Sequence, residues 1–283
     1  MAAPQLARLI ESLLGVITIL VFIRVAVPEA RPWRVILRTL GRLVGRGHRW
    51  LYLGACLSIL AFNYLFLVFE LDARCTNWVK SSNGGHDFTR LVYGLEGEAV
   101  AHVQAALNWL PLTWFLGYVY VVVFPCLVFV SIFVFDQLDD RRGLAMALLG
   151  YALNFLLVLP FYLVFPVRET FHFYTTDLGS DAVRMLLNDI HPAIIEGYRA
   201  MSGLDNCFPS FHTSLAVTLA LVAWHAGRPR YGWLITFFAA ANVFSTVYLG
   251  VHWVIDVAAG LAVGVAAYVL ARRASLRWSA ARP

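Results

Sequence analysis

The chain has 283 residues, of which 60% are apolar and only 14% are charged. Soluble globular domains contain roughly 45–50% apolar and about 25% charged residues, so this composition excludes both a soluble and a disordered protein. The net charge is +5, and the 22 basic residues are all arginine except Lys80. These residues lie in short segments between apolar runs. They therefore indicate membrane topology rather than a nucleic-acid-binding face.

Seven apolar segments are about long enough to cross the roughly 30 Å hydrocarbon core of a bilayer. In chain order, the predicted spans are Leu9–Val27, Trp50–Phe69, Leu112–Phe135, Leu144–Val167, Cys207–Ala226, Gly232–Gly250 and His252–Ala271. The last two meet at Gly250, which predicts a tight helical hairpin. The first lacks a basic segment before it and contains Glu11, so we expect a retained helix rather than a signal peptide.

The arginines fall mainly on one side of the predicted membrane. They crowd the segment Pro28–Arg49, recur in alternate later connections and fill the last residues of the chain. The positive-inside rule then places the amino terminus outside and the carboxyl terminus in the cytoplasm. The chain divides into an N-terminal helix with a basic segment (1–49), a main transmembrane domain (50–271) and a basic cytoplasmic tail (272–283).

Amphipathic patterns predict helices outside the spans. Arginines recur every three or four residues from Arg31 to Arg42, which suits either a helix lying on the anionic inner leaflet or a solvated basic loop. The two long connections on the other side, Leu71–Pro111 and Arg168–Asn206, have apolar residues at helical spacing. These residues are Val100, Val103, Leu107 and Leu110 in the first connection, and Val183, Leu186, Leu187 and Ile190 in the second.

The four cysteines form no CxxC pair, so their spacing does not support a zinc or redox site. Cys56 and Cys126 lie within apolar runs, where we expect them to be buried. A disulfide between Cys75 and Cys207 is left open.

Two polar clusters stand out because polar groups within transmembrane segments are costly. The first runs from Cys207 to Thr213, at the start of the fifth span. Pro209 suits the first turn of a helix, so Ser210 and His212 would share that turn with its free backbone N–H groups. Such a helix end binds anions. A histidine that merely marks the interface is the alternative.

The second cluster runs from Ser245 to Asp256. His252 and Asp256 are four residues apart, so on a helix they would share a face, and the carboxylate could hold one ring nitrogen of His252. The other nitrogen would then be free to attack or to accept a proton. By the predicted topology, both clusters lie at the outer ends of neighbouring helices, and this combination suggests phosphoryl transfer.

These residues resemble motifs of the type 2 phosphatidic acid phosphatase (PAP2) superfamily. The run Pro209-Ser210-Phe211-His212 is similar to its P-S-x-H motif, and Ser245 to Asp256 is similar to its S-R-x5-H-x3-D motif, over roughly Leu144–Ala271. The resemblance implies an all-α integral membrane protein with a six-helix PAP2-like core and one extra N-terminal helix, about seven transmembrane helices in all.

Two departures from the family pattern matter for the reaction. Thr246 stands where the phosphatases have a phosphate-binding arginine, and the first family motif, K-x6-R-P, is absent. In this respect the chain looks closer to the inositol phosphorylceramide synthase (aureobasidin-target) branch, which transfers a head group between lipids. Lipid phosphate phosphatase and head-group transferase are therefore both expected readings of the resemblance.

The family mechanism implies a role for each matched residue. His252 would be the nucleophile that forms a phosphohistidine, Asp256 would orient it, and His212 would protonate the leaving oxygen and then activate water or an acceptor hydroxyl. The expected phosphate-binding residues are Ser210, Ser245, Thr246 and Arg168, the last because it lies near the place of the missing first motif. Weaker candidates for acceptor recognition are His172, Arg184, Arg199 and Asp205. No metal and no cofactor are expected.

The expected partners are a lipid phosphate or phospholipid substrate and the bilayer, with no nucleic acid. The active site would face the extracytoplasmic side. The competing class is a non-enzymatic seven-helix transporter or receptor, which the number of spans allows. The ionisable groups cluster at one membrane face and form no line through the bundle, which favours the enzyme.

Overall fold

A computed structural model describes residues 3–44, 71–190 and 205–279 of the chain. These residues are mainly helical, and the only strand-like pairing among them is a single bridge between Val167 and Asn206. Four helices of the described part are long and apolar enough to cross a membrane: Leu9–Ala26, Leu110–Gln137, Arg141–Val164 and Val254–Leu276. The chain is therefore an all-α integral membrane protein, as its composition predicts.

The helices are named here in chain order. Those of the first half are α1 (Ala3–Ala26), α2 (Pro32–Val44), α3 (Leu71–Ser82), α4 (Thr89–Glu96), α5 (Ala99–Leu107), α6 (Leu110–Tyr118) and α7 (Phe124–Gln137). A π-helical turn, Val119–Val123, joins α6 to α7. Those of the second half are α8 (Arg141–Val164), α9 (Thr170–Asp177), α10 (Phe211–His225), α11 (Pro229–Tyr248) and α12 (Val254–Ser279).

Six of the seven predicted spans correspond to helices, with ends displaced by a few residues. The predicted second span, Trp50–Phe69, and Cys56 within it lie outside the described residues, so the number of spans stays a prediction. The last predicted span continues as helix to Ser279 rather than ending at Ala271.

The connection between the last two spans is longer than the sequence indicated. Helix α11 ends at Tyr248 and α12 begins at Val254, so a turn rather than one glycine joins them. Gly250 has φ +81°, and a Cβ there would lie 2.5 Å from the backbone oxygen of Arg184. A left-handed residue of this kind ends a helix. His252 consequently lies in the turn and not on a helix, which corrects the prediction.

The amphipathic patterns have mixed outcomes. The helix expected around Val100 and Val103 is confirmed as α5. The helix expected over Val183–Ile190 is wrong, because only a short 3-10 turn, Leu186–Asp189, is present. The backbone of this segment bonds elsewhere: Arg184 N–H donates to the side-chain oxygen of Gln104 at 3.0 Å, and Leu186 N–H donates to Leu249 O at 3.2 Å.

Helix α2 confirms the helical reading of the basic segment. Its polar face docks on the end of α7, where the buried Asp136 carboxylate accepts a hydrogen bond from Thr39 at 2.8 Å and pairs with Arg42 at 3.3 Å. Trp33 and Leu37 remain exposed on the helix. Contact of this apolar face with the inner leaflet stays a prediction.

Helix α10 lies among α8, α11 and α12. Its approach to α12 is very close, because Gly260 and Gly264 face it with no side chain between. A Cβ on Gly260 would lie 2.7 Å from Ser210 O, and one on Gly264 would lie 2.5 Å from Ser214 O. The Thr218 hydroxyl also donates to Gly264 O at 2.9 Å. This Gly-x-x-x-Gly contact is a common way for membrane helices to pack.

Replacing Gly264 by valine should force α10 and α12 apart. We expect a destabilisation of about 1–3 kcal/mol, typical of overpacking, and a lower unfolding midpoint measured by tryptophan fluorescence in detergent. Gly15→Ala in α1 is the matched control, because its Cβ would meet only Cys126 Sγ at an ordinary 3.8 Å. Equal midpoints for the two variants would contradict the close-packing account.

Candidate active site

The first part of the site is the start of α10. Ser210 is the N-cap, and its hydroxyl oxygen accepts a hydrogen bond from Thr213 N–H at 3.2 Å. The helix therefore begins at Phe211, and Pro209 precedes the cap instead of occupying the first turn as predicted. His212 is the second residue of the helix, beside backbone N–H groups that have no partner within the helix.

The second part is the start of α12, where Asp256 is the third helical residue. Its Oδ2 accepts a hydrogen bond from Trp253 N–H at 2.9 Å, as an acidic residue does at the third position of a capped helix. The adjoining turn is held by Thr246, whose carbonyl accepts the N–H groups of both Val251 and His252. Cap and turn together fix where the His252 ring lies.

His252 and Asp256 form a buried pair. The distance from His252 Nδ1 to Asp256 Oδ2 is 3.4 Å, and the two residues are 4% and 0% exposed. The prediction that they contact each other is confirmed, although the cap and not a shared helix face brings them together. A carboxylate at Nδ1 favours the tautomer in which Nε2 has its lone pair free.

His212 faces this pair across a short gap. The ring centroids of His212 and His252 are 6.0 Å apart. His212 stacks on Tyr120 at 4.4 Å and packs against Phe124 at 4.6 Å. Tyr120 lies in the π-helical turn, a feature often found at functional sites. The sequence gives no sign of these aromatic contacts, because Tyr120 and Phe124 lie within a long apolar run.

Two backbone contacts connect the clusters. Ser210 N–H donates to Asp256 O at 3.1 Å, and the side-chain amide of Asn242 donates to His212 O at 3.2 Å. The cap of one helix is thus bonded to the first turn of another. The structure therefore brings His212, His252 and Asp256 together, as the sequence predicts.

The predicted hydroxyl ligands are bonded to their own helices. Ser245 donates to Asn242 O at 2.7 Å, and Thr246 donates to Val243 O at 2.8 Å. Both residues are buried in the last turns of α11. Ser210 differs, because its oxygen accepts the capping bond and that bond does not use its own O–H proton. Ser245 and Thr246 would have to rotate to donate a hydrogen bond to a phosphate oxygen.

Arg168 is engaged by two carboxylates. Its guanidinium contacts Asp177 at 2.5 and 2.9 Å and Asp87 at 2.7 Å. The hydrogen bonds with Asp177 raise the pKa of Arg168, and the same bonds lower the pKa of Asp177. Its backbone oxygen accepts a hydrogen bond from Trp253 Nε1 at 2.9 Å. The structure thus links Arg168 to the site through Trp253, with its side chain held in ion pairs.

The same ion pairs line an open cleft of about 670 Å³. Its charged and titratable residues are Lys80, His86, Asp87, Arg90, Arg168, His172, Asp177 and Asp205. Lys80 pairs with Asp205 at 3.1 Å. Of the weaker candidates for acceptor recognition, His172 and Asp205 lie together in this polar cleft beside Arg168. Arg184 instead pairs with Asp189 at 3.4 Å, and Arg199 lies outside the described residues.

Another carboxylate that sequence analysis missed is Glu96. Its Oε2 accepts a hydrogen bond from Ile255 N–H, in the first turn of α12, at 2.9 Å. Burial raises the pKa of Glu96. Nothing in the sequence indicates that Glu96, the last residue of the short helix α4, caps the start of α12.

The sequence did not indicate that Cys207 contacts His252 and Asp256. Its Sγ lies 3.1 Å from His252 Nδ1 and 2.9 Å from Asp256 Oδ2. Cys75 and Cys207 are both free thiols, so the disulfide left open above is not formed. Cys207, His252 and Asp256 place donor atoms within 4.8 Å of one another, a set that could hold a metal ion.

The chain is similar to known proteins over part of its length. A family model described as the PAP2 superfamily matches residues 67–270. The chain is 41% identical over 63 residues to a protein of Escherichia coli (strain K12) named "Putative undecaprenyl-diphosphatase YbjG". The matched region is 22% of this chain and 31% of that protein, so the chain spans about a third of the relative's length. No solved structure matches the chain significantly.

Acid should weaken the ion pairs around Arg168. Because the pKa of Asp177 is lowered in the folded protein, its contribution is complete above the unfolded value of about 3.9 and is lost as pH falls through the folded value. We expect Asp177→Asn to destabilise the protein by about 1–3 kcal/mol at pH 7, with the difference shrinking toward pH 3. Unfolding midpoints measured at both pH values test this, and a difference independent of pH would contradict it.

Proposed function

The chain belongs to the PAP2 superfamily, and on this premise we propose that it is a membrane lipid phosphatase or phosphotransferase that forms a phosphohistidine at His252. Family membership and a relative named as a diphosphatase support phosphatase activity in general. The observation that carries the finer proposal is the buried His252–Asp256 pair, whose ring faces His212 at 6.0 Å.

In the first step, Nε2 of His252 attacks phosphorus and the bond from phosphorus to the leaving oxygen breaks. His212, in its protonated form, gives its proton to that oxygen. Asp256 accepts the Nδ1–H hydrogen bond throughout and stabilises the positive charge that forms on the ring.

In the second step, His212 removes a proton from water or from an acceptor hydroxyl. The resulting oxygen attacks phosphorus, the bond from phosphorus to nitrogen breaks, and His252 is regenerated. Water as the acceptor gives hydrolysis, and a lipid hydroxyl gives transfer. One pair of histidines therefore serves both reactions, and what reaches the site decides between them.

Phosphate binding, in this proposal, rests on the first turn of α10 and on the hydroxyls around it. The free N–H groups at a helix start and its positive dipole end favour an anion. Ser210 would add a hydroxyl contact, and Ser245 and Thr246 would do so after rotation. Arg168 would bind phosphate only after its ion pairs with Asp87 and Asp177 are rearranged, so its part in the reaction is tested through these carboxylates.

The name of the relative suggests which substrate to try first. A long-chain isoprenoid diphosphate is the first candidate, followed by phosphatidic acid and phosphatidylglycerol phosphate. The arginine distribution supports an active site on the extracytoplasmic face, with the amino terminus outside and the carboxyl terminus in the cytoplasm.

Head-group transfer is the second candidate. The charged cleft beside Trp253 supports it, because carboxylates and cations close together suit a polar acceptor head group. Thr246 in place of the phosphatase arginine supports it too, since it resembles the inositol phosphorylceramide synthase branch.

Removing the nucleophile should abolish turnover. We expect His252→Ala to lower phosphate release from a long-chain polyprenyl diphosphate in detergent by at least about 10³-fold, and Asp256→Asn by about 10²–10⁴-fold. His225→Ala is the matched control, because His225 lies at the other end of α10, 3.8 Å from Asp140. Wild-type turnover in His252→Ala would refute the mechanism.

The products distinguish the two reactions. Wild-type protein is mixed with a panel of lipid phosphates and phospholipids, with and without candidate acceptor lipids, and the products are analysed by mass spectrometry. Free phosphate that His252→Ala fails to release indicates a phosphatase. A lipid with a transferred head group, again lost in the variant, indicates a transferase. Products that persist in His252→Ala would count against both.

A further inference from the structure

We propose that Cys207, His252 and Asp256 form an inhibitory site for a thiophilic divalent cation such as Zn²⁺. The site shares His252 with the proposed nucleophilic step but lies on the opposite edge of its ring, at Nδ1. The inference rests on the proposed function for its effect on turnover, whereas metal binding itself does not depend on that function.

The donor set is suited to zinc. Thiolate, imidazole and carboxylate are its usual protein ligands, at about 2.3, 2.0–2.1 and 2.0–2.2 Å. Tetrahedral geometry at these lengths puts nitrogen and oxygen about 3.3–3.5 Å apart and puts sulfur about 3.5–3.7 Å from either. In the protein, Cys207 Sγ is 3.1 Å from His252 Nδ1 and 2.9 Å from Asp256 Oδ2, and the latter two atoms are 3.4 Å apart. The sulfur would need to move outward by only about half an ångström.

The set is held in place before any metal binds. Cys207 N–H donates to Val167 O at 3.1 Å, and its Sγ lies 3.2 Å from Val251 O. Asp256 is fixed by the cap at Trp253, and all three residues are buried. Only three donors are provided, so the fourth position of a tetrahedral ion is left for water.

Metal binding and nucleophilic attack exclude each other. The ion replaces the thiol proton of Cys207, which leaves to solvent, and takes the lone pair of Nδ1. The ring proton must then reside on Nε2. A protonated Nε2 has no lone pair to attack phosphorus, so the metal-bound protein is inactive. Since one proton is released, binding should weaken as pH falls.

The kinetic signature follows from the position of the ion. It binds behind the nucleophile and leaves the start of α10 open, so zinc should lower kcat and leave KM almost unchanged. We expect the zinc concentration for half-inhibition to rise at least tenfold in Cys207→Ser, with each variant compared with its own activity without zinc. Cys75→Ser, which removes a free thiol elsewhere, should keep the wild-type sensitivity.

Direct binding is measured on the full chain in detergent with Co²⁺ as a spectroscopic substitute. Wild-type protein and Cys75→Ser should show a thiolate-to-cobalt charge-transfer band, and Cys207→Ser should lack it. No band in wild type, or an unchanged band in Cys207→Ser, would overturn the site.

If Cys207→Ser does not fold, X-ray absorption at the zinc edge tests the site on the wild-type protein alone. Wild-type protein with one equivalent of Zn²⁺ should show one sulfur and otherwise nitrogen or oxygen neighbours, and a first shell without sulfur would overturn the proposal. Neither spectrum requires turnover. A sulfur-containing site in a protein that turns over no lipid would therefore leave this inference intact and refute only the proposed function.

Discussion

The geometry of the site depends on how closely α10 and α12 approach each other. Glycines at 260 and 264 let the backbone of α12 come within van der Waals contact of Ser210 and Ser214, where any side chain would collide with a carbonyl oxygen. At this distance, Ser210 N–H reaches Asp256 O. The contact matters because the two helix starts carry the two halves of the site. Moving the helices apart would separate His212 from His252.

Helix caps, rather than shared helix faces, position the side chains of the candidate site. Ser210 caps the start of α10, so His212 is the second residue of that helix. Asp256, in the first turn of α12, accepts the hydrogen bond from Trp253 N–H and holds the turn that contains His252. Each cap satisfies backbone groups that would otherwise be unpaired in a buried region. The same carboxylate that stabilises the start of α12 therefore also contacts the imidazole. Folding and the proposed catalysis depend on one side chain, and replacing it should affect both.

Sequence alone predicted most of the described helices and the residues that the structure brings together in the candidate site. Long apolar runs predict helices well because the bilayer leaves the backbone no other choice, and His212, His252 and Asp256 stood out as costly polar groups at one depth. What failed depended on tertiary contacts. The helix break at Gly250 leaves His252 in a turn. Gln104 accepts a hydrogen bond from Arg184 N–H, and the segment Val183–Ile190 does not form a helix. Cys207 contacts His252, which lies 45 positions away in the sequence. Gly250 is a local signal for a helix end, but the contacts of Gln104 and Cys207 leave no local pattern.

The charged cleft and the buried His252–Asp256 pair are connected through Trp253. Arg168 takes part in this connection through its backbone carbonyl, although its side chain is held in ion pairs. Trp253 follows His252 in the chain, gives its backbone N–H to Asp256 and its indole N–H to the Arg168 carbonyl. The ring of Phe173 lies between Arg168 and Trp253, 5.6 Å from the guanidinium carbon and 5.7 Å from the centroid of the indole. Arg168, whose side chain holds Asp177 in the cleft, thus contacts the residue next to His252 in the chain. A line of contacts from Arg168 through Trp253 to Asp256 joins the cleft to the buried pair.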